Sequence, residues 1–171
     1  MINPNSVRIS GKSCLITGGA GFIGSNLARF LVKLGAKVKV IDNFSTGSKH
    51  NTHDFKNLGI EIFNLDITDQ KRTEYCYSNI DFVFHHAAIS SVPYSFENPG
   101  KSKFNNVDGT KSVLQNSFKM GVGKIIFASS SSVYGDTEVS PTHEEVTLSP
   151  QSPYAEQKLQ GEILCKNYFK S

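Results

Sequence analysis

Tyr154 and Lys158 stand four residues apart, so on a helix they share one face. A phenol is a poor base at neutral pH, but a nearby ammonium stabilises the phenolate. Such a pair can take a proton from a hydroxyl while hydride leaves the adjoining carbon for an oxidised cofactor. Upstream, Ser129, Ser130, Ser131 and Ser132 stand in a row. A serine hydroxyl can donate to the same oxygen as it becomes a carbonyl. Taken alone, a Tyr and a Lys at this spacing are common on solvated helices. They gain weight only beside a site for the cofactor.

Thr17-Gly18-Gly19-Ala20-Gly21-Phe22-Ile23-Gly24 supplies that site. Its Gly19, Gly21 and Gly24 make GxGxxG, a weak signal by itself. Here an apolar strand precedes it, an amphipathic helix follows, and a second strand ends in Asp42. Asp42 lies close to the ~20 residues expected between the last glycine and the ribose-binding acid. Missing Cβ atoms let backbone approach a pyrophosphate, and a helix N-terminus offers N–H groups and positive potential. A carboxylate at Asp42 can accept from both ribose hydroxyls of NAD and repels the 2′-phosphate of NADP. The competing reading is a glycine-rich turn without a ligand. Exchanging Asp42 for Arg is expected to weaken NAD more than NADP.

The elements that must position these groups alternate. Strands are expected at Cys14–Thr17, Lys37–Ile41, Ile60–Asn64, Phe82–His85 and Lys124–Ser129. Helices are expected over Ile23–Leu34, with Ile23, Leu27, Phe30, Leu31 and Leu34 as the apolar face, and over Thr68–Tyr77, capped by Thr68 or Asp69. A third is expected over Pro99–Met120, with Phe104, Val107, Leu114 and Phe118 at helical spacing, and a last one from Tyr154 onward. Strands alternating with helices imply an α/β fold: a Rossmann-type, doubly wound parallel sheet covered on both faces. His85 and His86, adjacent on a strand, point to opposite faces and cannot chelate one metal, so a core or cofactor-lining role is expected, and no metal site. Cys14 reads as a small core residue.

The 171 residues suffice for one well-cored domain. Hydrophobic residues at 38% exclude wholesale disorder. A net charge of +3, from scattered basic residues, argues against nucleic acid as the main partner. No apolar run approaches the roughly 18 residues of a membrane span. The polar start lacks a secretory pattern. Three cysteines, odd in number and far apart, fit a reduced, cytoplasmic compartment.

With these residues assembled, the chain resembles the extended short-chain dehydrogenase/reductase superfamily, in its NAD-dependent nucleotide-sugar epimerase/dehydratase branch. The resemblance runs from about Ser13 to Tyr168. It rests on the glycine turn, on Asp42-Asn43-Phe44-Ser45-Thr46-Gly47, Asp66-Ile67, His85-His86-Ala87-Ala88 and Asn106-Val107-Asp108-Gly109-Thr110. Ser129 to Gly135 and Pro153-Tyr154-Ala155 through Lys158 complete the ordered set. It implies that Gly18, Gly21, Phe22, Ile23 and Gly24 hold the pyrophosphate of NAD. Asp42, Asn43, Ser45, Thr46 and Gly47 would form the ribose loop. Asp66 and Ile67 would contact adenine, and Ala87 and Ala88 the nicotinamide side. Ser130 would be the catalytic serine, Tyr154 the acid/base, and Lys158 the partner of the nicotinamide ribose. Ser91, Ser131 and Ser132 would touch the sugar.

Within that family, 4,6-dehydratases and related decarboxylases usually carry Thr-Asp-Glu or Thr-Ser-Glu where this chain has serines throughout. The all-serine stretch, with Ser91-Val92-Pro93, looks most like 4-epimerases acting on UDP-hexoses or UDP-N-acetylhexosamines. These remove hydride from C4, rotate the 4-keto sugar and return hydride to its other face. UDP-glucuronate 4-epimerases are the nearest rival. By the same resemblance, the two long helices pair with those of a second copy as a four-helix bundle, although packing on the sheet explains their apolar residues equally well. Family members are about twice this length. Residues 1–171 are therefore expected to be the N-terminal NAD-binding part, truncated after the Tyr154–Lys158 helix, with the C-terminal nucleotide-sugar portion absent. A non-catalytic dinucleotide-binding fragment is the alternative of another class. A purely structural interaction protein is a third.

Overall fold

The computed structural model describes the chain from Ile9 to Lys170. Five short strands, β1 (Ser13–Thr17), β2 (Lys37–Ile41), β3 (Glu61–Phe63), β4 (Phe82–His85) and β5 (Lys124–Phe127), form one sheet. All run parallel, in the order β3-β2-β1-β4-β5. Alternate residues of β1 point to opposite faces and both faces are covered, so nearly the whole strand is apolar. Cys14 and Ile16 pack with Ala28, Leu31, Val38, Val40 and Phe55 on one side. Leu15 packs with Ile41, Tyr77, Val83 and Val113 on the other. Chain direction across the sheet reverses between β1 and β4. The crevice outside the strand ends at that switch is where open α/β sheets hold ligands.

The helices are α1 (Phe22–Lys33), α2 (Gln70–Thr73), α3 (Val92–Glu97), α4 (Pro99–Lys103), α5 (Gly109–Lys119) and α6 (Pro153–Lys170). The expected inward face of α1 is corrected. Ile23, Phe30 and Leu34 are exposed, while Gly24, Ser25, Ala28 and Leu31 face the sheet. Small residues there let the helix lie close: a Cβ on Gly24 would run into the Gly18 carbonyl. The expected helix over Thr68–Tyr77 is only one turn of α2, capped by the Asp69 carboxylate accepting from Arg72 N, and then a 3₁₀ turn. The α3 helix was not expected, although Ser91 followed by Pro93 is a start signal.

The long segment from Pro99 is continuous, but residues Phe104–Asp108 form a π turn between α4 and α5. One extra residue per turn rotates the stripe read from sequence. Leu114 is buried, while Phe104, offset by the wider turn, and Phe118, in the last turn of α5, are exposed. The last expected strand ends at Phe127 instead of Ser129, and a 3₁₀ turn follows over Ser131–Tyr134. Among the described residues, no helix is long and apolar enough to cross a membrane.

Candidate active site and dinucleotide cleft

A cleft of about 440 Å³ opens at the switch point between β1 and β4. One wall is the glycine turn. Gly18 has φ of +75°, and a Cβ there would stand 2.6 Å from Ala87 N, so this turn meets the segment after β4 backbone to backbone. Gly21 begins α1 with no side-chain cap and no acid in the first turn. The first N–H groups of the helix are thus left for an anion in the cleft. At the end of β2, Asp42 is 8% exposed. Its Oδ2 accepts from Ala20 N and its Oδ1 from Phe44 N, both at 2.8 Å. Each oxygen keeps a lone pair for a further donor such as a ribose hydroxyl. Asp66, after β3, accepts from the Thr68 amide and hydroxyl and from Asn43 Nδ2. Burial alone would raise Asp66, but these donors outweigh it and hold the group below the usual carboxylate range.

The other end of the cleft is drier. Lys158 is 5% exposed; its Nζ donates to the Ala128 carbonyl at 2.9 Å and lies 5.9 Å from the Tyr154 ring centroid. Burial pulls the lysine down to about 8. Tyr154 is itself buried, and its backbone N–H is anchored on Ser95 Oγ. Beneath them lies His85, fully enclosed. Thr110 Oγ1 donates to the Asn106 carbonyl at 2.6 Å, so it must accept from His85 Nε2. The Nδ1 of His85 then accepts from Thr17 Oγ1. Burial, followed by the charge of Lys158, pushes this imidazole down to about 3, so it is a neutral strut. His86, the next residue, lines the cleft instead, and is lowered by burial and then by Lys158. The two histidines thus take the core and lining positions respectively.

Every residue named above for NAD lines this one cleft, including Thr46, Gly47, Ile67, Ala88, Tyr154 and Lys158. The serines divide differently. Ser129 lines the cleft, and its hydroxyl is bonded to Glu162. Ser130, Ser131, Ser132 and Ser91 stand outside its lining. Ser130 Oγ accepts from Ser132 N and, at 2.8 Å, from Ser132 Oγ, which leaves the Ser130 proton to donate. Ser131 is exposed on a separate open depression, and Ser91 is committed to capping α3 through Tyr94 N.

Sequence reasoning missed a buried polar array behind the site. Gln157 Oε1 accepts from Ser102 Oγ and Asn106 Nδ2, and Asn106 also exchanges bonds with the backbone of Ile89. Nothing about a glutamine between Tyr154 and Lys158 marks it as buried. The π turn that aims Asn106 inward has no period to read.

A family model described as the NAD dependent epimerase/dehydratase family matches residues 14–171. The chain belongs to that family. The dinucleotide for which the cleft is shaped is therefore NAD, and the uncapped helix, the close-packed glycines and Asp42 fit it. UDP-glucuronic acid decarboxylase 1 of Xenopus tropicalis is 38% identical over 93% of this chain and 38% of its own length. Among solved structures, the UDP-Glc/GlcNAc 4-epimerase of Campylobacter jejuni has a TM-score of 0.89 at 31% identity, covering 94% of this chain and 50% of that one. The UDP-glucose 4-epimerase of Brucella ovis in complex with NAD has a TM-score of 0.87 at 33% identity, covering 94% and 49%. The chain thus spans about half the length of these structures, and less of the decarboxylase.

Proposed function

We propose that this chain is the NAD-binding part of a UDP-sugar 4-epimerase acting on a UDP-hexose or UDP-N-acetylhexosamine. Bound NAD would supply the hydride acceptor and, later, the hydride donor at C4. Tyr154 takes the proton of the C4 hydroxyl, with Lys158 close enough to stabilise the phenolate, and Ser130 donates to the same oxygen. The fully enclosed His85 is uncharged at neutral pH and its one N–H is given to Thr110, so it takes no part in the proton transfer.

One observation favours epimerisation over the decarboxylation named for one relative. Beside Ser130 the next-but-one residue is Ser132, a hydroxyl bonded to Ser130 itself. Among the described residues, the carboxylates lining the cleft are Asp42 and Asp66, which belong to the opposite end. Glu162 is engaged by Ser129. The enolate that loss of carbon dioxide would leave next to C4 would therefore meet no carboxylic acid to protonate its carbon, and chemistry would be confined to C4. UDP-glucuronate epimerisation shares this logic and is separated by the sugar offered.

A second reading is a dinucleotide-binding unit without turnover of its own, supported by a cleft lined by the residues read for NAD and by none of Ser91, Ser130, Ser131 and Ser132. Incubating the chain with NAD and UDP-glucose, UDP-GlcNAc or UDP-glucuronate, read by NMR of the C4 epimers, separates these readings. Epimer formation without release of carbon dioxide is expected from the first. NAD binding without turnover of any sugar would establish the second.

We also propose that two copies pair through α5, α6 and the π turn, supported by exposed Phe104, Phe118 and Ile163 on those elements. Sedimentation showing only monomer at high concentration would remove this pairing.

A further inference from the structure

The loop after Asp42 holds a conformation that its own residues disfavour. Phe44 sits at φ of +56°, a region bulky side chains avoid. Asn43, Ser45 and Thr46 are exposed, so little packing fixes them. Yet the loop lies tightly on the glycine turn. A Cβ on Gly47 would come within 2.8 Å of Ala20 Cβ and 2.9 Å of Asp42 Oδ1. Two donors seat it there, Ser48 N at 3.0 Å and Asn51 Nδ2 at 2.9 Å, both on the Ala20 carbonyl. The Ala20 N–H goes to Asp42 in turn. Something must therefore hold Asn51.

Arg29, on α1, does so. Its Nη2 donates to the Asn51 carbonyl at 2.7 Å, and Nε and Nη2 fork onto Asp54 at 2.8 and 2.7 Å. Nη1 returns to the Ser25 carbonyl of its own helix, and the guanidinium lies 5.5 Å from the ring centroid of Phe55, a core residue. All these acceptors lie on α1 or in the turn over residues 51–54, and Arg29 does not line the cleft. A planar fork suits this set of acceptors; a lysine point charge cannot reach them together.

We propose that Arg29 is a positioning residue for the adenosine end of the dinucleotide: gripping Asp54 and the Asn51 carbonyl, it holds the loop after Asp42 against the glycine turn. This rests on the reading of that loop as the ribose seat. A loop held before binding need not be ordered by the ligand, so release of Arg29 transfers that ordering cost to NAD affinity.

The test uses the whole chain, titrated calorimetrically with NAD and with ADP, which carries the adenosine end without the nicotinamide ribose. Arg29→Gln is expected to weaken both by about tenfold. Arg29→Lys is expected to recover little, because charge without the fork does not restore the grip. Amide exchange in the unliganded Arg29→Gln variant should speed up over residues 43–51 while β1 and β4 stay protected, which general destabilisation would not produce. If Arg29→Gln does not fold, Asp54→Asn, which loosens the fork but leaves the bonds to Ser25 and Asn51 in place, is expected to act in the same direction by a smaller factor, about fourfold. A folded variant binding NAD within about twofold of the parent overturns the proposal. Asp42→Ala separates the two levels: if it leaves NAD affinity unchanged, the ribose reading itself has failed. If Asp42→Ala weakens binding and the Arg29 and Asp54 variants do not, only the positioning role is lost. A parent chain that binds neither nucleotide overturns both.

Discussion

At the β2–β3 end of the cleft, Asp42 and Asp66 sit among N–H and O–H donors, and Asp66 stays charged although partly buried. At the β4–β5 end, His85, His86 and Lys158 are basic groups wholly or partly withdrawn from water, and burial moves all three toward neutrality. The physical cause is the same at both ends, removal from water, and the number of compensating partners decides the outcome. Fixed charge surrounded by donors suits recognition, whereas a half-desolvated ammonium suits the steadying of a nearby phenolate. The difference between the two ends thus divides the cleft into a donor-rich half, the binding half of the proposed function, and a dehydrated half, its reacting half.

The largest expected effect breaks the binding half. Asp42→Ala removes the acceptor of two backbone N–H groups as well as the proposed ribose partner, and should lower NAD affinity by about a hundredfold, ~3 kcal/mol. Calorimetric titration checks this, and a loss under threefold would mean that the carboxylate only shapes the loop.

The reacting half is tested through pH. The folded value of His85, about 3, lies below the ~6.5 of an unfolded histidine. Below pH ~6.5 the unfolded chain binds a proton that the folded chain refuses, so stability falls as pH drops through that window. By pH 5 the loss is ~2 kcal/mol. Urea unfolding at pH 7 and pH 5 should show it in the parent and not in His85→Gln. Parallel behaviour of the two would remove His85 as the cause.

Lys158 gives a smaller effect at alkaline pH. Its folded value of about 8 lies below the ~10.4 of an unfolded lysine, so the unfolded chain binds more protons between the two. Stability conferred by this residue therefore rises with pH across that window. Relative to Lys158→Met, the parent should gain about 1–2 kcal/mol between pH 8 and 9.5. No relative gain would mean that water reaches the ammonium.

How much of this was legible in the sequence differs between the halves for a related reason. The binding half depends on local requirements: a turn that tolerates no Cβ at Gly18 and Gly24, and an acid at a strand end. Such constraints leave residue types in fixed places, so Asp42 and the glycines could be read directly. The reacting half depends on tertiary enclosure. Tyr154 and Lys158 were readable as a pair, but Gln157 between them became important only through Ser102 and Asn106 on another segment. The π turn at Phe104–Asp108 carries no periodic signature, so the sequence cannot show that exposed Phe104 is out of step with buried Leu114. The α1 helix failed differently. Its large apolar residues suggested the buried face, while the close approach to the turn selected Gly24, Ser25 and Ala28.

The smallest expected effect sharpens the contrast between partnered and merely adjacent charge. Lys119–Glu74 and Arg29–Asp54 are both ion pairs with N–O distances of 2.7 Å. The lysine side chain is 59% exposed and makes a single contact; the arginine is 24% exposed and forks across several acceptors. Water screens the first and competes for it, and the long lysine loses rotamer freedom in making it. Lys119→Ala should therefore change the unfolding free energy by ~0.5 kcal/mol or less, and less still at high salt. Arg29→Gln, in the same urea titration, should cost more and depend less on salt, because its bonds to Asn51 and Ser25 are not ion pairs. Equal losses from the two substitutions would mean that distance alone governs these pairs. The network around Arg29 would then carry no more than its single salt bridge.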